Sequence, residues 1–173
     1  MKIIKLPVGL LQANCYILNI NDDNIIIDPG SEAEKIEDNV NGKVSAILIT
    51  HHHDDHIGAL SNLKYNCPIY DFYNLKEEKY KINDFEFEVI YTKGHSDTSI
   101  TYYFYKENIM FTGDFLFKET IGRTDLETGD KIEMQKSLNK IKKYEHVKIY
   151  PGHGDITDID YEKENNIYLG SEL

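Results

Sequence analysis

Cysteine occurs only twice in the 173 residues, at Cys15 and Cys67. Two thiols this far apart form no C-x-x-C pair and no disulfide scaffold, so reduced thiols in a cytoplasmic protein are expected. Arginine occurs once, at Arg123, and positive charge is short overall. Nineteen Lys and Arg against 30 Asp and Glu leave a formal net charge of −11 and a pI near 5.0. A nucleic-acid partner calls for a basic footprint, and these lysines are scattered. Their one concentration, "KSLNKIKK" (Lys136–Lys143), fits the solvated face of a helix. Long apolar runs are also absent, so no transmembrane helix is expected. In "MKIIKLPVGLLQANCYIL" the apolar residues are interrupted by Pro7, Gln12 and Asn14, which speaks against an export signal. There is no repeat, linker or low-complexity segment. One domain over residues 1–173, a monomer or small homo-oligomer, can build its core without disulfides or a structural metal.

Histidine, by contrast, is concentrated. "THHHDDHIG" (Thr50–Gly58) holds four histidines and two aspartates in nine residues. It follows "VSAILIT" (Val44–Thr50), which reads as a buried strand with Val44, Ala46 and Leu48 on one face and Ile47 and Ile49 on the other. Ligands commonly sit on loops at strand ends, where a rigid scaffold holds them. In an extended loop, side chains two apart point the same way, so His51 and His53 can grip one ion together. Asp55 and His56 are offset by one position and available to a second. His52 and Asp54 point away and need no catalytic role. Imidazole and carboxylate suit zinc, and also iron or manganese; without cysteine in the cluster, a closed structural zinc site is not expected. An artificial tag would lie at a terminus, not behind a buried strand.

One short loop cannot fill two coordination shells. Two further histidines lie in glycine-flanked turns, "KGHSD" (His95) and "PGHGD" (His153), where Gly94, Gly152 and Gly154 let the backbone turn sharply. "FTGDF" presents Asp114 after the strand "NIMFT". A carboxylate has two oxygens and can bridge two cations, although a turn aspartate also commonly caps its own backbone. His146, in "KKYEHVKI", reads as a surface residue.

"THHHDDH", "GHSDTS", "GDFLF" and "PGHGD", in that order, resemble the metallo-β-lactamase superfamily with its H-x-H-x-D-H signature. Within it the likeness is to the glyoxalase II-like hydroxyacylglutathione hydrolases and their short relatives. "QANCYIL", "IIIDPG", "IGRTDLETGD" and "EKENNIYL" extend it over nearly the whole chain. The resemblance implies His51, His53 and His95 on one metal, Asp55, His56 and His153 on a second, and Asp114 bridging them. It places Asp28 behind the ligands, anchoring the H-x-H-x-D-H loop by hydrogen bonds. The implied fold is an α/β (α+β) four-layer αββα sandwich, two mixed β-sheets with helices on the outer faces. Arg123, in "GRTD", is a candidate for the substrate's carboxylate, or alternatively for pinning its loop by pairing with Asp125.

The element pattern fits that architecture. Strands are expected near Lys2–Leu6, Asn14–Ile20, Asn24–Asp28, Val44–Thr50, Pro68–Asp71, Phe85–Tyr91, Ile100–Tyr105, Asn108–Thr112 and Val147–Tyr150. Helices are expected at Ser31–Val40, Gly58–Leu63, Asp130–Tyr144 and Asp158–Tyr168, with Ser31/Glu34 and Asp130/Glu133 as capping pairs.

Two divalent ions, zinc before iron or manganese, define the chemistry expected. Water between them is acidified from a pKa near 16 toward about 7, so hydroxide is available to attack an acyl carbon. Asp55 would bind the second metal and orient the nucleophile. A thiolate leaves without a strong acid, which suits a site whose imidazoles are committed to metal. The expected activity is hydrolysis of a small acyl thioester, like an S-2-hydroxyacylglutathione. A mononuclear iron persulfide dioxygenase using His51, His95 and Asp114 is the alternative; a lactonase or other ester hydrolase ranks below both, and a non-catalytic module last. Full-length glyoxalase II enzymes carry a further helical domain that helps bind glutathione. This chain reaches only 20 residues beyond His153, which leaves the thiol open.

Overall fold

Thirteen strands and five helices make up the computed structural model, which describes residues 1–170. Strands β1 (Lys2–Val8), β2 (Ala13–Ile20), β3 (Asp23–Ile27), β4 (Lys43–Leu48) and β5 (Ile69–Tyr70) form one sheet in that order. The first three run antiparallel, and β3, β4 and β5 run parallel. The second sheet uses β6 (Lys79–Ile82), β7 (Phe85–Tyr91), β8 (Ile100–Phe104), β9 (Ile109–Gly113), β12 (Lys148–Pro151) and β13 (Thr157–Asp158). Its order is β13-β12-β9-β8-β7-β6, with only β12 and β9 parallel. A small hairpin, β10 (Leu116–Phe117) with β11 (Thr120–Ile121), follows β9. The helices are α1 (Ala33–Asp38), α2 (Asp54–Ile57), α3 (Lys131–Ile141), α4 (Ile159–Asn165) and α5 (Ile167–Gly170).

Alternation along the strands makes the layers. Leu18, Ile27 and Leu48 of the first sheet meet Phe87, Tyr102, Phe104 and Phe111 of the second in one buried core. The opposite face of the first sheet, with Ile17, Ile26, Ile47 and Ile49, packs against Ile36 of α1 and Ala59. The outer face of the second, with Ile90, Met110 and Ile149, lies under Met134, Leu138 and Ile141 of α3 and Ile159 of α4. At roughly 1.5–3 kcal/mol for each fully buried large apolar side chain, the three-residue stripe of α3 suffices to dock that helix. This is the αββα sandwich of two mixed sheets. Among the described residues no helix is long and apolar enough to cross a membrane.

Several local expectations are corrected. Val44 does not share a face with Ala46 and Leu48 but joins the Ile47 side. The pairing of β3 with β4 shifts between Asn24/Val44 and Ile25/Ala46, and the extra residue, Ser45, inverts the alternation. The first helix begins at Ala33, not Ser31. Glu32 stands before it in left-handed backbone (φ 54) without a side-chain cap, and its carboxylate accepts from Gly9 N at 2.7 Å. Asp130 does cap α3, accepting from Ile132 N and Glu133 N, while Glu133 pairs forward with Lys136. The helix expected at Gly58–Leu63 is displaced: α2 precedes it and only a 3-10 turn, Leu60–Asn62, falls inside. The last helix is broken at Asn166, which is extended (φ −90, ψ 111). Its amide instead ties Glu162 Oε2 to Thr120 O. Strands β6, β10, β11 and β13 had no expectation; the last three are two residues long and carry no period to read.

Candidate metal centre

The centre is built at the ends of parallel strands. Asp28 follows β3, and its buried carboxylate reaches across to the end of the neighbouring β4. Oδ1 accepts from Thr50 N at 2.7 Å, and Oδ2 accepts from Thr50 Oγ1 at 2.6 Å and from His56 Nδ1 at 3.0 Å. One carboxylate thus fixes both ends of the histidine loop. Because the Thr50 hydroxyl donates to Asp28, its oxygen accepts from His51 Nδ1 at 3.1 Å. With Nδ1 so engaged, His51 and His56 turn Nε2 into the centre as the atom available to a metal.

The other turns are held the same way. His95 Nδ1 donates to Arg123 O at 2.9 Å, and His153 Nδ1 donates to Leu11 O at 3.1 Å. The turn carrying His153 is gripped from β2, where Asn14 Nδ2 and Tyr16 Oη both donate to Pro151 O, at 3.0 and 2.6 Å. Sequence reasoning gave Thr50, Asn14 and Tyr16 no part in the site; the latter two lay inside the quoted stretch "QANCYIL", which pointed to the family, and Asn14 was noted only as a break in the N-terminal apolar run. His53 is extended, as expected for a residue sharing a side with His51, but Asp55 and His56 sit on the helical turn α2.

All seven candidate ligands converge. His51, His53 and His95 each offer a nitrogen, and these atoms lie within 4.8 Å of one another; Asp55, His56 and His153 do the same. Asp114 spans the two groups: Oδ1 lies 3.2 Å from His56 Nε2, and Oδ2 lies 3.6 Å from His95 Nε2 and 3.5 Å from His153 Nε2. Asp55 Oδ2 is 3.2 Å from His153 Nε2. Asp28, His51 and His56 form a third close group, but both Asp28 oxygens are already engaged by donors.

This donor set fits a pair of divalent cations. His51 Nε2, His56 Nε2 and Asp114 Oδ1 are buried and make no hydrogen bond among the described residues. Each such atom left without a partner costs roughly 1–3 kcal/mol. Neutral imidazoles and carboxylates around a common space are what zinc, iron or manganese take.

The electrostatics agree. Burial, aided by His56, holds His51 well below the usual histidine range, keeping its lone pair available. Burial also presses on His56, but Asp114 and Asp28 outweigh it and push it up to about 10. Asp114 and Asp55 raise His153 to about 9. Burial opposes ionisation of Asp114, yet His153 and His56 hold it well below the usual carboxylate range, and His153 lowers Asp55. Without metal, protons on His56 and His153 balance the carboxylates; a cation takes the place of those protons.

Residues outside the centre are equally plain. His52 turns from it, 3.1 Å from Asp71 Oδ2. Asp54 is exposed, and His146 lies at the surface beside Asp160. Arg123 donates through Nε and Nη2 to both Asp125 oxygens, at 2.7 and 2.8 Å, in solvent. Beside His53 opens a cleft of about 540 Å³, whose walls include His52, Tyr73, Asp97, Leu126 and Glu127.

Asp28→Asn is expected to weaken metal binding about 10–100-fold, the usual cost of disturbing a group behind a ligand. An amide oxygen in the place of Oδ2 still accepts from Thr50 Oγ1 and His56 Nδ1 but sets its NH2 against Thr50 N, and in the place of Oδ1 it sets the NH2 against the other two donors. Chelator competition measures the loss; affinity within twofold of the unmutated chain would show that the carboxylate does not set the ligands.

The metallo-beta-lactamase superfamily model matches residues 8–88 and 78–153. The chain is 33% identical over 206 aligned residues to the probable metallo-hydrolase YqgX of Bacillus subtilis, with 98% of each covered. It is 31% identical over 213 residues to the hydroxyacylglutathione hydrolase GloC of Haemophilus influenzae, covering 99% of this chain and 100% of that one. Among solved structures, the BLEG-1 B3 metallo-beta-lactamase superposes with a TM-score of 0.93 at 30% identity, over 98% of this chain and 100% of that one. TTHA1623 in a di-iron-bound form gives 0.88 at 27%, over 95% and 99%. Both halves of the sandwich and every strand-end turn of the centre fall within these matches, and the chain belongs to the metallo-beta-lactamase superfamily, in its glyoxalase II-like branch of metal-dependent hydrolases.

Proposed function

We propose that this hydrolase cleaves a small acyl thioester. His51, His53 and His95 would hold one divalent cation, Asp55, His56 and His153 a second, and Asp114 both. The observation that carries this reading is that Asp114 stands within 3.6 Å of a histidine from each group. Bound divalent cations supply Lewis acidity, which lowers the pKa of coordinated water toward about 7 and polarises the acyl oxygen. Asp55, half-buried with an oxygen turned to His153, orients the attacking water. The one nearby histidine outside the candidate ligands, among the described residues, is His52, and it is engaged by Asp71. A thiolate can leave without a proton, whereas an amide nitrogen cannot, so a thioester is favoured over a β-lactam. Similarity to a hydroxyacylglutathione hydrolase supports the same class. Zinc is the proposed metal, with iron as the competitor given the di-iron neighbour. Free thiols at Cys15 and Cys67 suit a reducing compartment, in keeping with a cytoplasmic location.

The test offers zinc-loaded and iron-loaded protein a set of lactoyl thioesters, a β-lactam and glutathione persulfide, following thiol release and dissolved oxygen together. Thiol release with zinc and a flat oxygen trace is the expected result. Oxygen uptake appearing only with iron, with no thioester cleaved, would replace it with the dioxygenase reading, one iron on His51, His95 and Asp114.

Arg123 is assigned to its loop. Its guanidinium is already forked onto Asp125, and its carbonyl holds the His95 ring. Arg123→Lys cannot form the two-bonded pair and is expected to lower the melting temperature only slightly, by about a degree or two, as for other solvent-exposed pairs. KM should be unchanged. A raised KM with unchanged melting would return Arg123 to the substrate.

A further inference from the structure

We propose that the cleft beside His53 receives the thiol part of the substrate and selects a thiol bearing a cationic group over an anionic one. This deepens the thioesterase reading and rests on it for the position of the scissile bond. The cleft adjoins the centre directly, since His53 belongs to both. At about 540 Å³ it has room for a small thiol moiety. Its position on the side of His51, His53 and His95 leaves the opposite rim, beside His153 and Phe117, for the acyl group.

The charge on the walls decides the selection. Asp97 and Glu127 are exposed carboxylates there, and Tyr73, 74% exposed, presents a ring on which a cation can rest. Among the described residues, no Lys or Arg lines this cleft. The adjoining groove is also acidic: Asp97, Glu127, Asp130 and Glu133 line it against Lys93 alone, whose ammonium lies 4.5 Å over the Phe72 ring. Arg123 is held by Asp125. Two histidines line the cleft: His53 is a candidate metal ligand, and His52 is faced by Asp71 at 3.1 Å. Glutathione brings two carboxylates and one ammonium, a net negative charge, to outer walls that carry carboxylates and offer positive charge only at the metal centre. A thiol ending in an ammonium meets two carboxylates and an aromatic face.

The experiment holds the acyl group fixed and changes only the charge of the thiol. Acetylthiocholine supplies the cation, S-(3,3-dimethylbutyl) thioacetate its neutral isostere, and the S-acetyl ester of 4-mercaptobutyrate the anion. Thiol release by metal-loaded enzyme at low salt is expected to rank cation, neutral, anion, with about tenfold in kcat/KM between the extremes. The spread should shrink as salt is raised. Asp97→Asn combined with Glu127→Gln should bring the cation-to-anion ratio toward one. Uncleavable thioethers of the same three charges, titrated into metal-free protein, provide a binding ranking independent of turnover. An anion cleaved as well as or better than the cation, or a ratio unmoved in the double variant, would overturn the proposal. Should no thioester be cleaved while the thioethers still rank cation first, the thioesterase reading would fall and take the thiol assignment with it, leaving only the cleft's preference for cations.

Discussion

Protein saturated with divalent metal is expected to contain two equivalents per chain, and His56→Ala one, with thioester turnover lower by on the order of 10²–10³. His56 is fully buried, and its Nε2 makes no well-formed hydrogen bond among the described residues although Asp114 Oδ1 lies 3.2 Å away and Asp55 Oδ2 3.6 Å away. Without the imidazole, the second group is reduced to Asp55, His153 and a share of Asp114. The same change strips Asp28 Oδ2 of one of its two donors, leaving a buried carboxylate less well met. His51, His53 and His95 are untouched, so the first equivalent should survive. His146→Ala, which removes an exposed ring paired only with Asp160, is the control and should retain both. Elemental analysis alongside turnover decides the matter. One equivalent as the maximum in the unmutated chain would remove the second ion and, with it, the stated role of Asp55.

The candidate ligands were legible in the sequence because their signal is local. Each follows a strand or sits between glycines, and a histidine or aspartate at such a turn declares its chemistry without knowledge of its partners. What holds the ligands is not local. Asn14 and Tyr16 act on Pro151 across 137 and 135 residues, and no period or spacing connects such positions. Asp28 entered through the family resemblance alone; only the parallel pairing of β3 with β4 explains how it reaches Thr50 and His56. The layer order was implied by the family resemblance, with which strand alternation agreed, and the alternation failed at Val44, where one inserted residue inverts the face. Helix ends failed where a tertiary bond outweighed local preference. Glu32 serves Gly9 instead of its own helix, and Asn166 leaves the helix to join Glu162 to Thr120.

Gly152→Ala is expected to abolish the second metal equivalent and to cut turnover about 100-fold, while the neighbouring Gly154→Ala leaves both nearly intact. The two glycines of "PGHGD" look alike in sequence, as residues that let the chain turn. In the structure they have different tasks. Gly154 is the one in left-handed backbone (φ 72), and a Cβ there meets nothing within 4 Å. Alanine at that position bears only the strain of its conformation, roughly 1–2 kcal/mol. Gly152 has ordinary backbone, but a Cβ on it would stand 2.1 Å from Asp114 Oδ1, 2.8 Å from His56 Cε1 and 2.9 Å from Gly113 C. Two of those atoms belong to candidate ligands and the third to backbone, so relief must come from moving Asp114 and His56 or the strand end itself. Gly152 N also donates to Gly113 O and Gly152 O accepts from Asn14 N, which pins the turn from both sides and blocks retreat. A displacement near 1 Å at reacting groups costs about 100-fold. Circular dichroism and melting separate the outcomes. Gly152→Ala should fold, with the first equivalent bound and the second lost, and Gly154→Ala should melt lower yet hold two. Two equivalents and near-normal turnover in Gly152→Ala would mean that the Asp114–His56 pair is free to shift, and that the close approach of this turn does not define the centre.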